Sequence, residues 1–108
     1  MPNEFFVQLR PKSDSIETLY TTLTLTKLSY IYIANVSNGA IQYSIYIAPQ
    51  EQGFGKRNAV VYREALAAND SDVFGSYVPL LPGYRVGVWV NTNRAATFTA
   101  FGGITSLL

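Results

Sequence analysis

Residues 27–49 constrain the fold of this chain more than any other stretch. Two runs rich in β-branched and aromatic residues, 27–35 and 41–48, are joined through the polar residues 37–39, Ser-Asn-Gly. Asn and Gly tolerate positive φ better than other residues, and a tight turn between two twisted strands requires positive φ. The sequence therefore predicts a β-hairpin over 27–49, around which the other strands are arranged.

Alternating apolar and polar residues predict further strands over 18–26, 59–68, 73–81, 84–91 and 95–101. Helix competes with strand only in 59–68, where good helix formers follow Val60-Val61-Tyr62, and we favour the strand. Turn residues separate the strands, among them Pro82-Gly83, which suits a type II turn, and the two segments 69–72 and 92–94. The turn at 92–94 is expected to join the strands 84–91 and 95–101 into a second hairpin. Seven to eight strands of this kind predict an all-β fold, a single antiparallel β-sandwich that is immunoglobulin-like or jelly-roll-like, with a small barrel as the alternative.

The length of the chain, 108 residues, predicts one domain with one core. We assign residues 1–15 to an N-terminal arm or edge strand, closed by Pro11 and a polar break, and residues 16–108 to the β-sandwich domain. The N-terminus shows no basic region followed by an apolar core, and no run approaches the ~20 apolar residues of a membrane-spanning helix. We therefore expect synthesis in a cytoplasm and no membrane partner.

The composition argues against most catalytic chemistry. The chain has no Cys and no His, which removes thiolate zinc sites, thiol nucleophiles and triads of the Ser-His-Asp type. Eight basic and seven acidic residues give a formal net charge of +1, without the basic excess of a protein that binds through phosphate contacts. We therefore expect no enzyme activity, no cofactor and no nucleic-acid partner.

Two short motifs have a ligand-binding interpretation, and we interpret both as loops. Residues 53–56, Gly-Phe-Gly-Lys, lack the spacing and the following Ser or Thr of a phosphate-binding loop. Residues 69–72 contain Asp70 and Asp72, whose oxygens suit calcium, but two carboxylates leave most of the roughly 6–8 ligands unassigned. We therefore predict a solvated turn at 69–72 and no metal site.

The aromatic residues supply the candidate functional surface, since they make up 14% of the chain, as much as the charged residues do. If the Ile and Val rows of the strands form the core, alternation places Tyr30, Tyr32, Tyr46 and Trp89 on the outer faces. These rings could be covered by loops of the same chain, or they could stack on a carbohydrate. Tyr and Trp are enriched at protein–protein interfaces, so we predict an interface that comprises Tyr30, Tyr32, Tyr46, Trp89, Phe5 and Phe6.

The order of segments resembles that of small β-sandwich structural proteins of tailed bacteriophage virions. The resemblance spans about residues 18–104 and rests on 31–37 (Ile-Tyr-Ile-Ala-Asn-Val-Ser), 41–49 (Ile-Gln-Tyr-Ser-Ile-Tyr-Ile-Ala-Pro), 65–71 (Ala-Leu-Ala-Ala-Asn-Asp-Ser), 80–91 (Leu-Leu-Pro-Gly-Tyr-Arg-Val-Gly-Val-Trp-Val-Asn) and 96–102 (Ala-Thr-Phe-Thr-Ala-Phe-Gly). Residues 1–15 have no counterpart in it, which is consistent with an anchoring arm.

The resemblance implies a virion component without enzymatic activity that is made in the host cytoplasm. We expect a capsid decoration or cement subunit, a homo-oligomer that binds the major capsid protein through its aromatic surfaces. The alternative is a tail, baseplate or fibre component that binds tail proteins, which includes a module for carbohydrate on the host surface.

Overall fold

In the computed structural model, which describes residues 4–13, 15–49, 51–75 and 78–104, nine strands form two antiparallel sheets that pack together. The strands are β1 (Glu4–Leu9), β2 (Glu17–Thr21), β3 (Thr26–Asn35), β4 (Ile41–Ala48), β5 (Ala59–Leu66), β6 (Ser71–Phe74), β7 (Val78–Leu80), β8 (Arg85–Val90) and β9 (Ala96–Ile104). The predicted all-β sandwich is confirmed. In the described part of the chain the helical structure is one 3-10 turn, Lys56–Asn58, which is far too short to cross a membrane.

The strand order of the two sheets is that of a jelly roll. Sheet A has the order β1-β9-β3-β6, with β7 also paired to β3, and sheet B has the order β2-β8-β4-β5. The pairs are nested along the chain, since β1 pairs with β9, β2 with β8, β3 with β6 and β7, and β4 with β5. Rolling up this long hairpin brings β9 beside β3 and β8 beside β4.

The core lies between the sheets and is built from alternate residues of each strand. Apolar side chains at 8% exposure or less fill it from both sides. The Val row of β8 lies in the core as expected, since Val86, Val88 and Val90 are buried at 1% exposure or less. In β9 the residues Ala96, Phe98 and Ala100 are buried to the same extent.

The predicted hairpin over 27–49 is wrong, because its two strands lie in different sheets. β3 belongs to sheet A and β4 to sheet B, so the chain crosses the sandwich between them. Neither Asn38 nor Gly39 has a positive φ, so the tight turn expected at this pair does not form. The second predicted hairpin, 84–101, is wrong for the same reason, since β8 lies in sheet B and β9 in sheet A.

The buried side chain of Asn35 explains why the chain crosses here rather than turning back. Its Nδ2 donates to the carbonyl oxygens of Gly39, Leu66 and Ala67 at 2.9, 3.2 and 3.0 Å. Its Oδ1 accepts hydrogen bonds from the main-chain N–H and the hydroxyl of Ser37 at 3.0 and 2.7 Å. One amide thus satisfies the polar groups of the connection and fixes it against the end of β5.

Two of the predicted strands are each divided. The strand predicted over 18–26 is interrupted at Thr22, which is buried and whose Oγ1 donates to the carbonyl oxygen of Leu81 at 2.6 Å as the chain passes from sheet B to sheet A. The strand predicted over 73–81 is interrupted at Gly75. Its φ of 138° is open only to glycine, and a Cβ there would lie 2.3 Å from a main-chain oxygen of β3.

Three local predictions agree with the structure. Residues 59–68 form a strand over most of their length rather than a helix. Gly83 has φ 87°, and the N–H of Tyr84 donates to the carbonyl oxygen of Leu81 at 3.2 Å, as in the type II turn expected at Pro82-Gly83. The N-terminal segment contains an edge strand, β1, while residues 1–3 and 14 lie outside the described residues.

Candidate functional site

Four aromatic side chains lie together on the outer face of sheet A, and we call them the aromatic face: Phe6, Tyr30, Tyr32 and Phe101. The strand register places Phe6 opposite Phe101, which in turn lies opposite Tyr30. The ring centroid of Phe101 lies 5.7 Å from that of Tyr30 and 5.7 Å from that of Tyr32. Phe6 and Tyr32 are 67% and 48% exposed, so three of the predicted interface residues are brought together on one accessible surface.

The aromatic face continues at both ends. On one side Val73 of β6, which is also exposed, lies opposite Tyr32. On the other side a groove runs between β1, β9 and the start of β3, and its lining includes Glu4, Phe6, Lys27 and Phe101. The face therefore ends in a concave region where two charged side chains lie beside three phenylalanines, since the mostly buried Phe5 also lines the groove.

A close approach of two strands shapes this groove. The register between β3 and β9 shifts between Leu28 and Tyr30, which marks a bulge. A Cβ at Gly102 would lie 2.0 Å from the main-chain oxygen of Lys27. Only glycine therefore allows β9 to pair with the bulged part of β3.

Phe5 is buried, so the expectation that it belongs to an exposed surface is wrong. Its ring is 8% exposed and stacks on Tyr20 of β2 with centroids 4.2 Å apart and planes 5° apart. Successive residues of a strand point to opposite faces of the sheet. β1 therefore directs Phe5 into the space between the sheets and Phe6 onto the aromatic face.

Tyr46 lies on the outer face of sheet B as predicted, but the loop after β4 covers it. The ring centroids of Phe54 and Tyr46 are 6.0 Å apart, and the Arg85 guanidinium lies 4.6 Å from the Phe54 ring centre. A Cβ at Gly87 would lie 2.7 Å from the Phe54 ring, so glycine makes room for it. Tyr46 is only 5% exposed, and the expectation that its ring faces solvent is wrong.

Trp89 lies on the outer face of sheet B, half-buried beneath Arg63. The guanidinium carbon of Arg63 lies 4.9 Å from the Trp89 ring centre and 5.4 Å from that of Tyr62. The ammonium of Lys56 lies 5.6 Å from the Tyr62 ring centre. The outward position of Trp89 was predictable from the sequence, but the cations around it were not, because no motif links residues 56 and 63 to residue 89.

The acidic residues of segment 69–72 serve separate structural roles. Asp72 Oδ2 accepts a hydrogen bond from the Tyr43 hydroxyl at 2.7 Å, while Asp70 Oδ1 accepts one from the N–H of Ser71 at 2.8 Å. Burial raises the pKa of Tyr43 well above its ordinary value, and the hydrogen bond to Asp72 and the charge of that carboxylate raise it further. Among the described residues, no three Asp or Glu side chains gather into a group that could hold a metal ion.

Comparison with known proteins gives no further assignment. The sequence matches no protein-family model, and no curated protein matches it. The fold, the aromatic face and the chemistry of the two outer surfaces therefore carry the functional argument.

Proposed function

We propose that the protein is a non-enzymatic structural subunit of a bacteriophage virion, attached to the capsid shell as a decoration or cement protein. The observation that carries the proposal is the aromatic face, where Phe6 and Tyr32 are 67% and 48% exposed. Contiguous exposed aromatic side chains mark interaction surfaces, because water solvates them poorly and a partner can cover them.

The two outer surfaces of the sandwich differ in a way that supports a partner for sheet A. On sheet B the loop after β4 buries Tyr46 under Phe54. On sheet A the rings of Phe6 and Tyr32 remain accessible. The centre of the aromatic face is rich in aromatic side chains and poor in charged ones, which is the composition of the core of a protein–protein interface. We propose that the shell protein covers this surface.

The fold supports the proposal only by analogy. Jelly rolls are a recurrent architecture of viral capsid proteins, and they also occur in lectin domains. In the proposal the copies form a homo-oligomer, in keeping with the symmetric assembly that most soluble oligomers adopt.

The test is attachment to purified shells that lack this protein, measured by co-sedimentation. The double variant Phe6→Gln, Tyr32→Gln should bind at least about tenfold more weakly, since central aromatic anchors dominate interface energetics. The matched control is Leu23→Gln, because Leu23 is 86% exposed but lies in the loop between β2 and β3 and belongs neither to the aromatic face nor to the lining of the groove. Unchanged binding of the double variant, or a wild-type protein that does not bind shells, would contradict the proposal.

The second candidate is a tail, baseplate or fibre component that binds carbohydrate on the host surface. The groove at the end of the aromatic face favours it, because Phe6 and Phe101 lie beside Lys27 and Glu4. The apolar face of a sugar can pack on an aromatic ring while its hydroxyls bond to charged side chains. Saccharide binding on a glycan array that is lost in Lys27→Met, with shell attachment absent in the wild type, would favour this candidate over the first.

A further inference from the structure

We propose that Arg63, held against Tyr62 and Trp89, forms a binding site for an oxyanion group, a carboxylate or a phosphate, on the outer face of sheet B. The site lies on the opposite side of the sandwich from the aromatic face, so it is independent of the function proposed above. Three observations carry it: a strained backbone at Arg63, a guanidinium held by two rings, and a neighbouring cation, Lys56, that forms no ion pair with the described residues.

The backbone of Arg63 adopts a conformation that is rare for residues other than glycine. Its φ is 53°, in the left-handed region. Tyr43 lies opposite Glu64 and Ile45 opposite Val61, so two residues of β5 oppose the single residue between Tyr43 and Ile45, which is a β-bulge. Glycine would adopt this conformation at no steric cost. A strained residue of this kind is a reason to look for a function.

The bulge places the Arg63 side chain across a small residue and onto Trp89. The N–H of Arg63 donates to Ser44 Oγ at 2.9 Å, and Ser44 lies opposite Trp89 in the register of β4 and β8. Because Ser44 is small, the guanidinium reaches the Trp89 ring, with its carbon 4.9 Å from the ring centre. Contact with a second ring, that of Tyr62 at 5.4 Å, further restricts its position.

The donors of this guanidinium are available. Within the described residues it contacts the two rings but makes no hydrogen bond or ion pair. A guanidinium presents up to five N–H donors in a planar fork, and this fork matches two coplanar oxygens of a carboxylate or phosphate. Arg63 is therefore preorganised to bind such a group with little loss of side-chain entropy.

A second cation lies near Arg63, over the same tyrosine ring. Lys56 lies over the Tyr62 ring, and Arg57 beside it in the chain is exposed. The adjacent acidic residue, Glu64, lies opposite Tyr43 and acts electrostatically on the buried hydroxyl of that residue. Cationic side chains lie over the aromatic rings of this surface, so a neutral sugar cannot stack on those ring faces. An anionic group is therefore favoured as the ligand.

Trp89 provides a direct readout, because it is the only tryptophan of the chain. Its fluorescence is measured while sodium phosphate or sodium glucuronate is added to the full-length protein at constant ionic strength, with sodium chloride and glucose as controls. We expect a saturable change with at least one of the two oxyanions and none with the controls. The oxyanion that binds more tightly identifies a phosphate or a carboxylate as the natural group.

Variants at residue 63 make the test specific. Arg63→Gly keeps the left-handed backbone and should weaken binding about tenfold or more, because a charged hydrogen-bond donor is lost. Arg63→Lys keeps the charge but lacks the fork, and it should also bind more weakly. The matched control is Arg94→Gly, since Arg94 has φ 55° and is exposed but contacts no ring of the described residues.

The expected pattern is a loss of the response in Arg63→Gly, a smaller loss in Arg63→Lys and no loss in Arg94→Gly. Circular dichroism confirms that each variant is folded, and if Arg63→Gly does not fold, the lysine variant carries the test. A response to sodium chloride equal to that of the oxyanions would overturn the proposal, as would an unchanged response in the Arg63 variants or an equal loss in Arg94→Gly. Shell attachment should be the same in all three variants, which separates this site from the aromatic face.

Discussion

At the scale of single residues, buried polar side chains determine how the chain passes between the sheets. Asn35 is 2% exposed and bonds to three carbonyl oxygens and to two donors of Ser37. The Asn-Gly pair that dominates the local sequence is exposed and has no comparable set of bonds. Asn35 therefore fixes the connection between β3 and β4, whereas the sequence had indicated the pair Asn38-Gly39, which begins three positions later.

Replacing Asn35 with Ala should lower the free energy of unfolding by about 2–3 kcal/mol, because it leaves buried carbonyl oxygens without donors. Urea denaturation followed by circular dichroism measures the change. Asn38→Ala is the control, since Asn38 is exposed and its substitution should change stability by no more than about 0.5 kcal/mol. Equal losses in the two variants would contradict a specific role of the buried Asn35 amide in the crossing.

The raised pKa of Tyr43 predicts a loss of stability in alkaline solution. In the unfolded chain this tyrosine ionises near its ordinary pKa of about 10, whereas burial and Asp72 keep it protonated in the folded state. Its contribution to stability is therefore complete below about pH 10 and declines as the pH rises further. Denaturation between pH 7 and 11.5 should show a shallower alkaline decline for Tyr43→Phe than for the wild type, and parallel profiles would disprove this.

At the scale of elements, β1 shows how one strand serves two surfaces. Its register with β9 extends from Glu4 to Leu9, and alternation sends Phe5 inward and Phe6 outward. Stacking of Phe5 on Tyr20 then joins an edge of sheet A to an edge of sheet B. The N-terminal segment therefore contributes to the core as well as to the candidate interface.

Two adjacent substitutions separate these contributions. Phe5→Ala should lower the free energy of unfolding by about 3 kcal/mol, as expected for a truncated core phenylalanine. Phe6→Ala should change it by no more than about 0.5 kcal/mol, since its ring is exposed. Thermal and urea denaturation measure both. An unchanged stability of Phe5→Ala would contradict the packing of this ring in the core.

The inward faces of strands could be predicted from the sequence, but the partners of the strands could not. Alternation is a property of each strand alone, which is why Val86, Val88 and Val90 were placed correctly. Pairing depends on contacts between distant segments, and proximity in the sequence suggested two hairpins that the sandwich does not contain. Turn residues indicated where the chain changes direction without indicating whether it stays in the same sheet.

For the candidate surfaces, too, the sequence predicted which side chains face outward but not which of them other segments cover. The alternation of β3 placed Tyr30 and Tyr32 outside, where the structure has them. The covering of Tyr46 was not predictable, because it depends on Phe54 in a polar loop and on the space left by Gly87, distant in sequence. The strained φ of Arg63 was not predictable either, since glycine or asparagine would ordinarily signal it.

At the scale of the whole molecule, the nested pairing makes folding depend on the most distant parts of the chain. β1 must meet β9, and β2 must meet β8, before either sheet is complete. Chains dominated by such non-local pairs fold in roughly milliseconds to seconds. Refolding followed by stopped-flow fluorescence of Trp89 should therefore show its main phase in this range, and a main phase in microseconds would contradict the pairing order.

The pairing of β1 with β9 has a practical consequence for engineering. Glu4 lies opposite Gly103, so residues near the two ends of the described chain are neighbours on adjacent strands, about 4.8 Å apart. A short linker could join these ends, and new ends could be opened in the loop that precedes Lys56–Asn58. Such a circular permutant would convert the most distant strand pair into a local hairpin, so it should keep the jelly roll and refold faster than the natural connectivity.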